Sequence, residues 1–87
     1  WDKHLAGSDN EAIKLFENCI KKGDLSNDSL ARTYRNIGIS YKDLGKYKLA
    51  INYYNKSLRK QTSDSYLAAS NYRNIAEINF YNAEYQK

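Results

Sequence analysis

The sequence predicts an all-α protein built from antiparallel helix hairpins stacked side by side into a solenoid. Three observations carry this reading. First, the tetrapeptide Tyr-Arg-Asn-Ile occurs twice, at Tyr34–Ile37 and at Tyr72–Ile75, a shift of 38 residues. The same shift carries Gly7 onto Gly45, Ala12-Ile13 onto Ala50-Ile51, Phe16 onto Tyr54, Ile20 onto Leu58 and Lys22 onto Lys60. A period between about 20 and 50 residues marks units that bury their apolar faces only against their neighbours. Second, the 87 residues include no proline and 4 glycines. Nothing therefore breaks a helix, and too few residues favour tight turns for a β fold. Third, between the glycines the apolar residues recur at i, i+3, i+4 and i+7, the spacing of one helix face.

The elements follow in order. Trp1–Ala6 reads as the tail of a helix. Ala12, Ile13, Phe16, Cys19 and Ile20 line one face of a helix over Asn10–Lys22, stopped by Gly23. Cys19 is expected there as a small buried filler at a helix contact. Ser26, Asn27, Asp28 and Ser29 offer N-caps for a helix over Asp28–Leu44, whose apolar face runs through Leu30, Tyr34, Ile37, Gly38 and Tyr41. Gly45 ends it, because glycine accepts the left-handed conformation that follows a helix C-terminus. A helix over Tyr47–Lys60 begins at once on Tyr47, Ala50, Ile51, Tyr54 and Leu58. So short a connection makes these two an antiparallel hairpin. Ser63 or Asp64 then caps a helix over Ser65–Asn82 on Leu67, Ala68, Tyr72, Ile75, Ala76 and Asn79, and Tyr85 reads as the first turn of the next.

Composition excludes several classes of chemistry. One histidine, His4, and one cysteine, Cys19, stand on different predicted helices. Neither a catalytic dyad nor a metal site is expected, since either needs further ligands or an orienting group. Asp24 and Asp28 lie where caps are needed, and no glycine-rich phosphate loop occurs. No catalytic residue and no cofactor is assigned. The net charge of +4 and pI of 9.2 permit an acidic partner or nucleic acid. Nine tyrosines could stack on bases, but Tyr34, Tyr41, Tyr47, Tyr54, Tyr72 and Tyr85 coincide with the packing pattern, so they are read as core. Nucleic acid is set aside. So is membrane insertion, because no apolar stretch approaches spanning length.

The residues Tyr34-x-x-Ile37-Gly38-x-x-Tyr41, then Gly45, Tyr47 and Ala50-x-x-x-Tyr54-x-x-Ser57, resemble a complete tetratricopeptide repeat. Gly38 and Ala50 are small where two helices cross closely, and the larger residues fill the space around them. Ser57 stands where the family prefers alanine, and Thr62 where it prefers proline. The resemblance divides a single domain over 1–87 into the second half of a repeat (1–27), a complete repeat (28–64) and the first half of another (65–87). Family repeats span about 34 residues, and the excess here is placed at Asp24–Asp28 and Gln61–Tyr66.

The resemblance implies a protein-binding groove formed by the first helix of each repeat. It assigns peptide binding to Arg32, Arg35, Asn36, Ile39 and Lys42 in the complete repeat, and to Arg73, Asn74, Glu77 and Phe80 in the following one. Ser70 shares that stripe by the 38-residue shift, as do Trp1 and His4 in the preceding unit. Three arginines against one acid point to an acidic protein or peptide partner. The same charges also fit an ordinary solvated helix face. The alternative is a homo-oligomer, formed through apolar residues of the partial repeats: Trp1, Leu5, Phe80, Tyr81 and Tyr85.

Overall fold

The structure, a computed structural model, describes residues 6–60 and 65–85, with side chains described over 8–60 and 65–83. Four helices make up the described residues: α1 (Ala6–Lys22), α2 (Asn27–Asp43), α3 (Tyr47–Arg59) and α4 (Ser65–Tyr85). Each packs on the next in the chain, and α4 also reaches back to α2. The bounds of α2 and α3 lie within one residue of those expected. The outer helices are longer than expected. α1 starts early enough to take in Gly7, so this glycine is helical and not a turn residue like Gly45. α4 runs through Tyr85, which therefore continues that helix and does not open another. The capping roles read at Ser63 and Asp64, and the closing position Thr62, lie outside the described residues.

Local chemistry sets the helix ends. Ser26 caps α2: its Oγ accepts the Ser29 N–H at 3.2 Å, and its carbonyl accepts the Leu30 N–H at 2.8 Å. Asp28 in the first turn adds negative charge where the helix dipole favours it. At the other end Gly45 has φ +80. Its N–H donates to the Lys42 carbonyl and that of Lys46 donates to Tyr41, both at 2.9 Å. These paired bonds form a Schellman motif, which turns the chain back into α3.

The α2–α3 hairpin is the tightest contact. A Cβ on Gly38 would lie 2.7 Å from Cε1 and 2.8 Å from Cδ1 of Tyr54, and 3.2 Å from the Ala50 carbonyl oxygen. The Tyr54 ring thus rests on bare backbone. Ala31, Ile37, Ala50 and Tyr54 are fully buried around this crossing. Ile78 of α4 closes the cluster from the far side of Tyr54 and Ala50.

α4 is joined to the hairpin by a buried polar chain. Ser57 Oγ donates to the Ala31 carbonyl at 2.7 Å, and Asn71 Nδ2 donates to Ser57 Oγ at 2.8 Å. Serine at an alanine position is thereby accounted for, because one hydroxyl links three helices.

Two expectations about burial are corrected. α4 buries Leu67, Ser70, Asn71, Asn74 and Ile78, not the face through Tyr72, Ala76 and Asn79. Tyr72 is 64% exposed. In α2 the corresponding side, with Tyr34 and Gly38, is covered by the second helix of its own repeat. Among the described residues no element covers that side of α4. Cys19 is likewise exposed and not a buried filler. Its counterpart Ser57 is covered by α2 on one side and α4 on the other, whereas α1 packs on α2 alone.

Gly38→Leu is expected to destabilise by roughly 1–3 kcal/mol or more through overpacking, although leucine is the better helix former. Urea denaturation checks this. Ser57→Ala leaves the Asn71 amide buried without its acceptor and should cost about 1–3 kcal/mol. Adding Asn71→Leu should recover part of that loss, because both polar partners are then gone.

Candidate functional site

The predicted binding residues lie on α2 and α4, and the structure separates them into three groups. Arg73, Glu77 and Phe80, with Ala76 and Tyr81, line a cavity of about 470 Å³ on α4. Phe80 is 67% exposed, and Arg73 and Glu77 are also exposed. They repeat at helical spacing, so Phe80 offers a hydrophobic surface with a guanidinium two turns away and a carboxylate one turn away. This group is the most accessible part of the expected strip.

Lys42 connects α2 to it. Its Nζ lies 3.7 Å from Glu77 Oε1, with side chains 27% and 59% exposed. At that exposure the pair contributes roughly 0–1 kcal/mol. Lys42 and Glu77 also line a second cavity, about 390 Å³, with Asp43, Tyr47, Ile78 and Tyr81. The Tyr47 and Tyr81 rings meet there at 5.3 Å. Partial burial raises the Tyr47 phenol above its ordinary pKa, and Tyr81 beside it adds to the shift.

Asn36 and Ile39 turn the other way. They line a cavity of about 330 Å³ between α1 and α2, with Ser40 and with Ser8, Asp9, Ala12 and Phe16 of α1. Of the remaining candidates, Arg32 is exposed, Arg35 is half-buried, and Asn74 and Ser70 are buried. The expectation that Asn74 and Ser70 reach a partner is therefore corrected: both face the interior, on the side of α4 that packs against α3. Arg35 has its Nε buried with no hydrogen-bond partner among the described residues. Burial raises the Tyr54 phenol far above its usual pKa, the Asp43 and Glu77 carboxylates add to this, and Arg35 opposes it. Arg35 thus places a positive charge near the buried Tyr54 phenol. Trp1, His4 and Leu5 lie outside the described residues, as does the Tyr85 side chain.

Sequence reasoning missed an aromatic ladder on the hairpin. Tyr53 stacks on Tyr41 at 5.6 Å and tilts against Tyr34 at 6.0 Å, with Lys56 Nζ 4.7 Å from its ring centre. Burial, then the neighbours Tyr41, Glu17 and Tyr34, raise the Tyr53 pKa. The adjacency Tyr53-Tyr54 was the available signal. Only Tyr54 fits the repeat pattern, and Tyr53 points a third of a turn away. Among the described residues no group of acids, histidines and cysteines could hold a metal ion. No helix there is long and apolar enough to cross a membrane.

A hairpin closed on a glycine crossing, with a further helix packed on either side, is the architecture of a helical repeat protein. The sequence matches the tetratricopeptide repeat family over residues 3–63, and the chain belongs to that family. No curated protein and no solved structure matches it.

Arg35→Ala is expected to lower the melting temperature measurably, since Arg35 is half-buried with its Nε withdrawn from solvent, and its charge acts on the buried Tyr54 phenol. Arg73→Ala should change stability by no more than about 0.5 kcal/mol, as ordinary surface substitutions do. Thermal melts followed by circular dichroism separate the two.

Proposed function

We propose that this chain is a protein-interaction module that holds an acidic peptide segment, or a free C-terminal carboxylate, along the strip formed by α2 and α4. Tetratricopeptide repeats act typically as non-catalytic protein-interaction modules, and the reading involves no catalytic step and no cofactor. The chain is taken as one domain, with a complete repeat over 28–64 and a half repeat on either side. The observation that carries the proposal is the open cavity on α4, where exposed Phe80 stands beside Arg73 and Glu77.

The chemistry follows from those groups. Guanidinium pairs with carboxylate through parallel hydrogen bonds. Arg32 and Arg73 are exposed at places three residues apart in repeat register, and Lys42 is held toward α4 by Glu77. Each exposed pair is worth little, so several have to act together. Phe80 supplies an apolar anchor that charges alone lack. A segment with spaced Asp or Glu residues and one aromatic or branched side chain matches this arrangement, with micromolar affinity and marked salt dependence.

The test uses a fluorescein-labelled peptide of spaced glutamates around one phenylalanine, with a control in which lysines replace the glutamates. Anisotropy titrations should show binding of the acidic peptide alone, weakened by added salt. The double change Arg32→Ala and Arg73→Ala should weaken it at least about tenfold with the melting temperature unchanged, because both side chains are exposed. Equal binding of both peptides, or affinity indifferent to the double change, would overturn the reading.

A further inference from the structure

We infer that copies of this chain associate head to tail, with α4 of one copy seated against α1 and α2 of the next. The inference does not depend on the peptide reading. It rests on the 38-residue register and on which apolar side chains the fold leaves open.

Within the chain, α3 packs on α2 through particular pairs, and α1 and α4 carry the counterparts of those residues. Tyr54 rests on Gly38; the counterparts are Phe16 on α1 and Ala76 on α4. Tyr53 meets Tyr34 at 6.0 Å; the counterparts are Leu15 and Tyr72, which are 65% and 64% exposed. These are two of the large hydrophobic residues the fold leaves open, and they sit on opposite ends of the stack. α1 and α4 make no contact with each other, so one chain cannot bring the pairs together. Two copies can.

A second line of register agrees. Between α2 and α4 the interior junction is polar: Lys42 faces Glu77 at 3.7 Å. Moving one repeat back along the stack replaces Lys42 by Phe80 of the neighbouring copy and Glu77 by Ile39. The ion pair becomes an apolar contact between an exposed phenylalanine and an isoleucine that lines an open cavity of about 330 Å³. That cavity, between α1 and α2, is the seat the neighbour's α4 would fill. Complementary apolar faces of this kind are what isolated monomers avoid exposing.

The seat is looser than the internal crossing, because Ala76 carries the Cβ that Gly38 lacks. A Cβ on Gly38 would come within 2.7 Å of the Tyr54 ring, so the Phe16 ring has to stand slightly further out. The result is a reversible association. Its two surfaces differ, so the contact is heterologous and continues into short filaments or closes into a ring of three or more copies.

Cys19 reports on the junction. Its counterpart Ser57 lies 2.7 Å from the Ala31 carbonyl, and the counterpart of Ala31 on α4 is Ala69, which is exposed. In the assembly Ala69 of one copy therefore meets Cys19 of the next.

The experiment is mild oxidation of the Ala69→Cys chain, read on a non-reducing gel. The expected result is a ladder of dimers, trimers and higher species. The unaltered chain, with Cys19 alone, can give at most a dimer. Adding Tyr72→Lys should collapse the ladder while the circular dichroism melt stays unchanged. In parallel, the unaltered chain should gain mass with concentration in sedimentation equilibrium, and Tyr72→Lys should weaken that association at least about tenfold. A product that stops at dimer, or a ladder indifferent to Tyr72→Lys, would overturn the proposal. So would an unaltered chain that remains monomeric at high micromolar concentration, which would assign the open faces to another protein.

Discussion

The Tyr54 ring lies directly on the backbone of α2 at Gly38, with its carbons where a β-carbon would otherwise be. This contact sets the distance between α2 and α3, and the other layers are placed from it. Tyr54 is fully buried, so its far side becomes the floor on which Ile78 of α4 sits. Its hydroxyl is carried into the neighbourhood of Arg35, Asp43 and Glu77, whose charges act on it. Interiors are packed at nearly crystalline density, so a change of one carbon at such a point is transmitted to every helix that touches the ring.

Apolar layers of this kind resist separation better than they resist sliding. Leu67, Ile78 and Ala50 could pack acceptably in more than one register. The bonds from Asn71 to Ser57 and from Ser57 to Ala31 cannot. A buried amide and hydroxyl carry a desolvation cost that is offset only where donor and acceptor meet. The linkage therefore discriminates against neighbouring registers, which is the best-attested use of buried polarity. It also fixes which side of α4 is turned outward, and so which residues Phe80 and Arg73 present to a partner.

Charge and hydrophobicity are divided between surfaces in a way that suits binding. Arg32, Arg35 and Lys42 stand on α2 and Arg73 on α4, with Glu77 holding Lys42 toward α4. The large exposed apolar residues are concentrated on the outer helices: Leu15 on α1, and Tyr66, Tyr72, Phe80 and Tyr81 on α4, with Leu49 on α3. A repeat unit buries its faces only against neighbours, so its outermost faces carry the chemistry of an interior. The acidic-peptide strip draws on the charges with Phe80 as its anchor, and the head-to-tail junction draws on the apolar faces, Phe80 among them.

The sequence by itself determined the four helices of the described residues, the hairpin at Gly45 and the identity of the crossing, since glycine punctuation, helical periodicity and the 38-residue echo are local or internal signals. Gly38, Ala50 and Tyr54 were legible because only small residues opposite a large one satisfy a close helix contact. The candidate strip was legible in part: Arg32, Arg73, Glu77 and Phe80 are open as expected, while Arg35 is half-buried and Asn74 faces inward. Only the tertiary structure decided these, along with the exposure of Cys19 and Tyr72. The repeat pattern states which face of a helix is made for packing. Whether that face is covered depends on which neighbouring helices are present, and neither α1 nor α4 has a partner on both sides among the described residues. Asn71 was invisible for a related reason. A buried asparagine looks like a surface one until the hydroxyl that accepts its hydrogen bond arrives from another helix.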